Sequence, residues 1–347
     1  MSLSSHVRAE AQSPRDLLSD EMRRQNADAL ASLDTNRERA AEIAARLRQS
    51  GRLLLLGMGA SHWANRMAVA FYRAAGIDAH AEPISEDLRQ PETPFERVVM
   101  LTSQSGNSGE VRLWLNRNPD RADVFGLTLQ ADSVLGSSVP SLIGAGPREI
   151  PFAATRSIVI TLALHAAVLE ALGSDVSDLR TLWAQPFTHP DLPQAAVSAL
   201  SGCSSLFLAT RGECVPALEC CALTYMELAR TPAIALELGQ LIHGPQEALG
   251  PSTALLLVRP AGPDAMNITR FAWQAHSWGV PLVMFDIGDD MPDVEGATII
   301  RLPQAEGLAA IARVLPAVQA LVIDAAAERV PDMGVPQRSS KVTDGEG

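Results

Sequence analysis

The sequence is short of aromatics, lysine and cysteine, and each shortage excludes something. Phe, Trp and Tyr make up 4% of the 347 residues, so a core has to be built from Ala, Leu, Val and Ile. Lysine occurs once, at Lys341, in a chain that otherwise takes its positive charge from arginine. The four cysteines (Cys203, Cys214, Cys220, Cys221) lack metal-ligand spacing, and two of them are adjacent. Neither a disulfide framework nor a zinc site is expected, which fits a reducing cytoplasm. The N-terminal residues lack the apolar stretch of a signal peptide, and no apolar run approaches membrane-spanning length, so a cytoplasmic protein without a membrane partner is expected. The net charge of −12 argues against nucleic acid as the main partner, and says little against a small phosphorylated ligand.

What is present is a globular composition, 47% hydrophobic and 20% charged, in a chain long enough for two domains. Residues 16–49 carry one apolar helical face, read as two helices. The period then changes. Leu53-Leu54-Leu55-Leu56 and Val98-Val99-Met100-Leu101 are continuous apolar runs of the kind that suits strands buried on both faces of a parallel sheet. Residues 124–128 and 141–143 read as further strands, with helices between, and residues 157–172 as a long apolar helix. After a polar segment, 173–193, read as a connection, strands at 205–209, 254–258 and 280–285 repeat the pattern some 153 to 159 residues later. A last helix is read over 308–327. The expected class is α/β, with two pseudo-repeated parallel-sheet sandwich domains and helices on both faces. The boundaries are 1–47 for a tail and N-terminal helices, 48–182 and 195–328 for the two domains, and 329–347 for a C-terminal tail.

Between the strand at 98–101 and a helix start at Glu110 lies Thr102-Ser103-Gln104-Ser105-Gly106-Asn107-Ser108. Such a turn either caps a helix with a serine hydroxyl or cradles an anion on unpaired helix amides and neutral donors. A second small turn, Gly59-Ala60-Ser61, follows the strand at 53–56. Ligands bind outside the carboxyl ends of parallel strands, so both turns are expected at one crevice, which favours a bound phosphate. Gly57-x-Gly59-x-x-His62 is a poor dinucleotide fingerprint, because His62 stands where the third glycine belongs.

These two turns and the tandem arrangement resemble the sugar isomerase (SIS) domain family. The likeness is to the isomerase half of glucosamine-6-phosphate synthase and to related phosphosugar isomerases, amino-sugar phosphate deaminases and fructosamine-phosphate deglycases. Three further segments resemble family motifs: Glu149-Ile150-x-x-Ala153-Ala154-Thr155-Arg156, Leu241-Ile242-His243-Gly244-Pro245, and the end Pro336-Gln337-Arg338-Ser339-Ser340-Lys341-Val342-Thr343. The resemblance implies a sugar phosphate held by Ser61, Ser103, Gln104, Ser105 and Ser108, with Gly59 and Ala154 lining the site. It implies Glu227 as the base that moves a proton between C1 and C2. It implies His243 in ring opening, often reached from a neighbouring subunit of a homodimer. It implies Lys341 over the sugar, on a tail that closes the site. No cofactor or metal is called for.

The residue types suit these roles. A carboxylate against an apolar wall is pushed toward neutrality and serves as base and acid in turn, and Glu227 sits between Met226 and Leu228. As plain structure it would be a glutamate at a helix end. Imidazole near its ordinary range suits proton transfer to a ring oxygen, although His243 before Gly-Pro also reads as a cap. A lysine amine can condense with a carbonyl, which a guanidinium cannot, although Lys341 also reads as a solvated tail residue. Glu219 stands as a second-line acid, His62 as a residue at the crevice, and His165 as packed core. Thr224, Arg156 and Ala154 stand where the family has two lysines and a serine. No glutaminase segment is read, so amination from glutamine is not expected. The expected function is aldose–ketose isomerisation of a hexose 6-phosphate, or deamination of an amino-sugar phosphate. The alternatives are a fructosamine-6-phosphate deglycase and a non-catalytic sugar-phosphate sensor.

Overall fold

In a computed structural model that describes residues 12–90, 96–288 and 291–341, the chain opens with two helices, α1 (Pro14–Thr35) and α2 (Arg37–Ser50). Ser13 caps α1 by accepting from the Asp16 amide at 3.2 Å, with Pro14 in the first turn. Gly51 ends α2 in the left-handed region, its N–H bonded to Leu47 O at 2.8 Å.

The next elements alternate: β1 (Arg52–Gly57), α3 (Ala60–Ala74), β2 (Asp78–Pro83), α4 (Ile84–Arg89), β3 (Val98–Thr102), α5 (Gly109–Arg117), β4 (Val124–Thr128), α6 (Val134–Ser138), β5 (Ser141–Ile143) and α7 (Arg156–Leu172). All five strands are parallel, in the order β2-β1-β3-β4-β5. After α8 (Ser177–Trp183) and α9 (Gln194–Ser201) the alternation resumes. It runs β6 (Ser205–Thr210), α10 (Val215–Ala229), β7 (Ala233–Glu237), α11 (Leu238–Ile242), β8 (Thr253–Arg259), α12 (Ala265–Ser277), β9 (Leu282–Asp286), β10 (Ala297–Arg301) and α13 (Gly307–Arg329). The second sheet is also parallel, ordered β10-β9-β8-β6-β7, which matches the first strand for strand. The expected class, two parallel sheets each covered by helices, is what the chain forms.

One layer of helices lies between the sheets. Helix α3 packs on α7 and α10, and α10 on α13, so apolar residues from both halves share one core. Helix α7 is buried from Arg156 to Leu169, as its lack of a polar face requires. Helix α13 corrects the expectation that no run is of membrane length: it is long and apolar enough to cross a bilayer, but 89% of its apolar window is packed inside the protein. The segment 173–193 is likewise more than a polar connection. Burial of Leu179 and Trp183 docks α8 against α1 and α13.

Candidate active site

Register decides where the two serine turns meet. Gly57 of β1 pairs with Thr102 of β3, so both strands end level and their following turns lie side by side. Each turn needs one glycine in the left-handed region: Gly59 (φ +50) and Gly106 (φ +62). At Gly106 a Cβ would fall 2.0 Å from Ser133 Oγ, whereas at Gly59 nothing but Leu223 comes within 4.0 Å. The second turn is fixed to β4, since Ser103 N–H donates to Leu127 O at 3.0 Å and Leu129 N–H to Gln104 O at 3.1 Å. Ser108 stands at the N-cap of α5 without any side-chain capping bond, so its hydroxyl is not used as a cap.

Below the turn, Thr102 Oγ1 donates to Asn65 Oδ1 (2.7 Å), which also takes His165 Nε2 (3.1 Å), while Tyr72 OH donates to His165 Nδ1 (3.1 Å). That tautomer follows from the amide oxygen being an acceptor only. Burial pulls His165 down to about 3, so it is a neutral core residue that props the cradle, in line with its expected place.

A cavity of about 350 Å³ opens over these turns. Gly59, Ser61, Ser103, Gln104, Ser105, Ser108 and Ala154 line it, and so do Glu227 from α10 and Lys341 from the tail. Burial pushes the Glu227 carboxyl up to about 7; Lys341 opposes this rise and Glu149 adds to it. Val342 and Thr343 of the tail motif lie outside the described residues.

Three histidine and acid expectations fare differently. His243 is exposed at the end of α11 and is not brought to this cavity by its own chain. Glu219 is ion-paired with Arg66 of α3 at 2.8 Å, away from the cavity lining. His62 does not line the cavity either; its ring packs on Trp63 at 5.1 Å.

Several lining residues carried no role in the sequence reading. Glu149 is 1% exposed, Glu110 is 4% exposed with Oε2 unpartnered, and Arg148 stands exposed at the rim. Ser157 and Thr161 put two hydroxyls one turn apart on the mainly apolar α7, a spacing visible in the sequence. Arg156, the residue in place of the family lysine, turns away: its buried guanidinium binds Glu21, Asp28 (3.0 Å) and Pro147 O (2.6 Å), clamping α1 to α7.

Among the described residues, the second sheet has no matching serine turn. The turn after β8 ends in Asp264 at the start of α12, whose carboxylate makes no side-chain cap and faces Arg211 at 3.4 Å. At its strand ends Arg259 Nε donates to Asp286 Oδ1 at 3.0 Å, and both side chains are buried.

No family model matches the sequence, and no curated protein is similar to it. Solved structures are similar over nearly the whole chain. The C-terminal domain of glucosamine-fructose-6-phosphate aminotransferase from Francisella tularensis superposes with a TM-score of 0.79 at 16% identity, covering 92% of this chain and 98% of that one. The fold is the tandem sugar isomerase fold. Tagatose-6-phosphate ketose/aldose isomerase from Escherichia coli gives 0.77 at 16% identity, over 92% of this chain and 95% of that one. Glucosamine-6-phosphate deaminase from Thermotoga maritima gives 0.69 at 18%, over 91% and 99%. At such identities the likeness is one of fold, and the chemistry rests on the residues of this cavity.

Proposed function

We propose that the chain is a phosphosugar enzyme that moves a proton between C1 and C2 of an open-chain hexose or hexosamine 6-phosphate. The observation that carries the proposal is a carboxyl raised to about 7, facing one cavity with a charge-neutral anion cradle and the only lysine of the chain. Ser61, Ser103, Gln104, Ser105 and Ser108 hold the phosphate by hydrogen bonds, with the α5 amides adding the positive end of the helix. Glu227 takes the proton from C2 of the open aldose, leaving an enediol or enolamine, and returns it to C1. With an amino group on C2, the resulting imine adds water and releases ammonia. Lys341 meets the open-chain carbonyl from the tail.

His243, exposed on its own chain, is proposed to open the ring in a neighbouring cavity, which makes the working unit a homodimer with shared sites. A cytoplasmic location is part of the same proposal.

The test is a panel of hexose, hexosamine and fructosamine 6-phosphates, scored for aldose–ketose exchange and for ammonia or amine release. Turnover lost in Glu227→Gln with binding retained supports the enzyme. Amine release confined to fructosamine phosphates selects the deglycase, and tight binding without turnover in either protein selects the sensor.

A further inference from the structure

Glu149, on the loop between β5 and α7, is buried to 1% exposure with every bond it makes directed at one of three elements. Its two oxygens divide the work. Oε1 accepts from Thr155 N–H (3.0 Å), Thr155 Oγ1 (3.2 Å) and Ser157 N–H (3.2 Å), so it caps α7, whose own N-cap residue Thr155 makes no side-chain cap. Oε2 accepts from Ser157 Oγ (2.5 Å), from Gln104 Nε2 in the cradle (3.1 Å) and from Lys341 Nζ on the tail (3.5 Å).

Capping alone does not call for this residue. A glutamine oxygen would accept the same amide bonds without the several kcal/mol that burying an ionised carboxylate costs when it lacks a partner. What an amide cannot supply is the negative charge that balances an ammonium. Polar contacts hold the tail near its start, where Arg230 at the end of α10 donates to Asp332 Oδ1 (2.8 Å) and Val335 O (3.1 Å), and further on, where Lys341 reaches Glu149. Arg230 stands three residues after Glu227 on the same helix end, so the proposed base and the tail are fixed to one another.

We propose that Glu149 is a positioning residue, which through Oε2 fastens the phosphate cradle to the C-terminal tail and sets the Lys341 ammonium between itself and Glu227. This rests on the cavity being the site of phosphosugar chemistry. Glu227 is faced by Lys341 from the tail and Glu149 from the loop before α7, and its charge is felt by Cys220 on its own helix. Glu110 of α5 and Arg148 complete the charged lining. Removing the Glu149 charge takes away a repulsion on Glu227, which favours the ionised base, and releases the Lys341 ammonium from its place beside that base, which opposes it.

The experiment compares wild type, Glu149→Gln and Glu149→Asp in the full chain. The first readout needs no substrate: labelling of Lys341, the one lysine in the sequence, by an amine-reactive succinimidyl ester, followed by peptide mass spectrometry. Loss of a charge-assisted hydrogen bond is expected to speed labelling about fivefold or more in Glu149→Gln. Glu149→Asp, whose shorter chain cannot cap α7 and reach the tail at once, is expected to label faster as well, and it serves if the glutamine variant does not fold. The second readout uses whichever panel sugar wild type turns over. In Glu149→Gln, kcat is expected to fall about 30-fold with KM within about threefold. A helix cap alone would leave the labelling of Lys341 at the wild-type rate. Wild-type labelling rates in folded variants overturn the inference, as does an unmoved kcat. If wild type turns over no sugar, it is the proposed reaction that fails, and labelling still decides the role of Glu149.

Discussion

A carboxylate that both takes and returns a carbon-bound proton has to be poised near neutrality, and the proposed base Glu227 owes that poise to burial, at a cost in stability. Its ordinary value is 4.5 and its folded value about 7. Below about pH 4.5 it is protonated in both states and costs nothing. Between there and 7 the folded chain keeps a proton that the unfolded chain releases, so stability falls as pH rises. Above 7 the full penalty stands, about 3 kcal/mol at 1.36 kcal/mol per pH unit. Glu227→Gln is therefore expected to melt above wild type at pH 8 and level with it at pH 4.5, by scanning calorimetry; a wild type that melts higher at pH 8 would contradict this. Activity should rise on a limb through about pH 7 in kcat/KM, the pH at which the base becomes ionised. The apolar neighbours Met226 and Leu228 pointed to a raised carboxyl at Glu227, yet Met226 is 41% exposed, so the burial that raises it has to come from other elements. Glu149 was not, since its role comes from donors 45 residues before it and 192 after it.

Single elements carry two further expectations. In the β3–α5 turn, Gly106→Ala forces a side chain into φ +62 and onto Ser133 Oγ, so a loss of about 2–4 kcal/mol and of sugar-phosphate affinity is expected, read by thermal melting and calorimetric titration. On α7, Arg156→Ala leaves Glu21 and Asp28 without their buried partner. A cost of about 3–5 kcal/mol is expected in denaturant unfolding, with KM for an accepted sugar phosphate little changed, because the guanidinium points to α1 and not to the cavity. Elements with unbroken apolar runs (β1, β3, β4, β8) were legible because a strand covered on both faces admits nothing else. Strands β7 and β10 are harder to read: both lie at a sheet edge, half-covered, and the apolar run of β10 is broken by Thr298. Helix α12 was missed although Ile268, Phe271, Ala272 and Ala275 keep helical spacing. The docking of α8 through Trp183 is not legible locally, because its partners, α1 and α13, lie far away in sequence.

At the scale of the whole molecule, the two sheets share a strand order but not the chemistry of their strand ends. The first carries a neutral turn of serines, while the second carries Asp264, paired with Arg211, and the buried Arg259–Asp286 pair. The repeat was visible as a spacing; the difference between the copies was visible only as chemistry, in serines against an aspartate. The shared helix layer also bears on how the chain can be divided. Helices α3 and α7 from the first half and α10 and α13 from the second bury one another's apolar faces. A break in the peptide between α8 and α9 would leave each piece with a complete sheet and an uncovered greasy side. Neither piece is expected to remain in solution alone, but made together they should reassemble, restoring the cavity from two separately encoded halves.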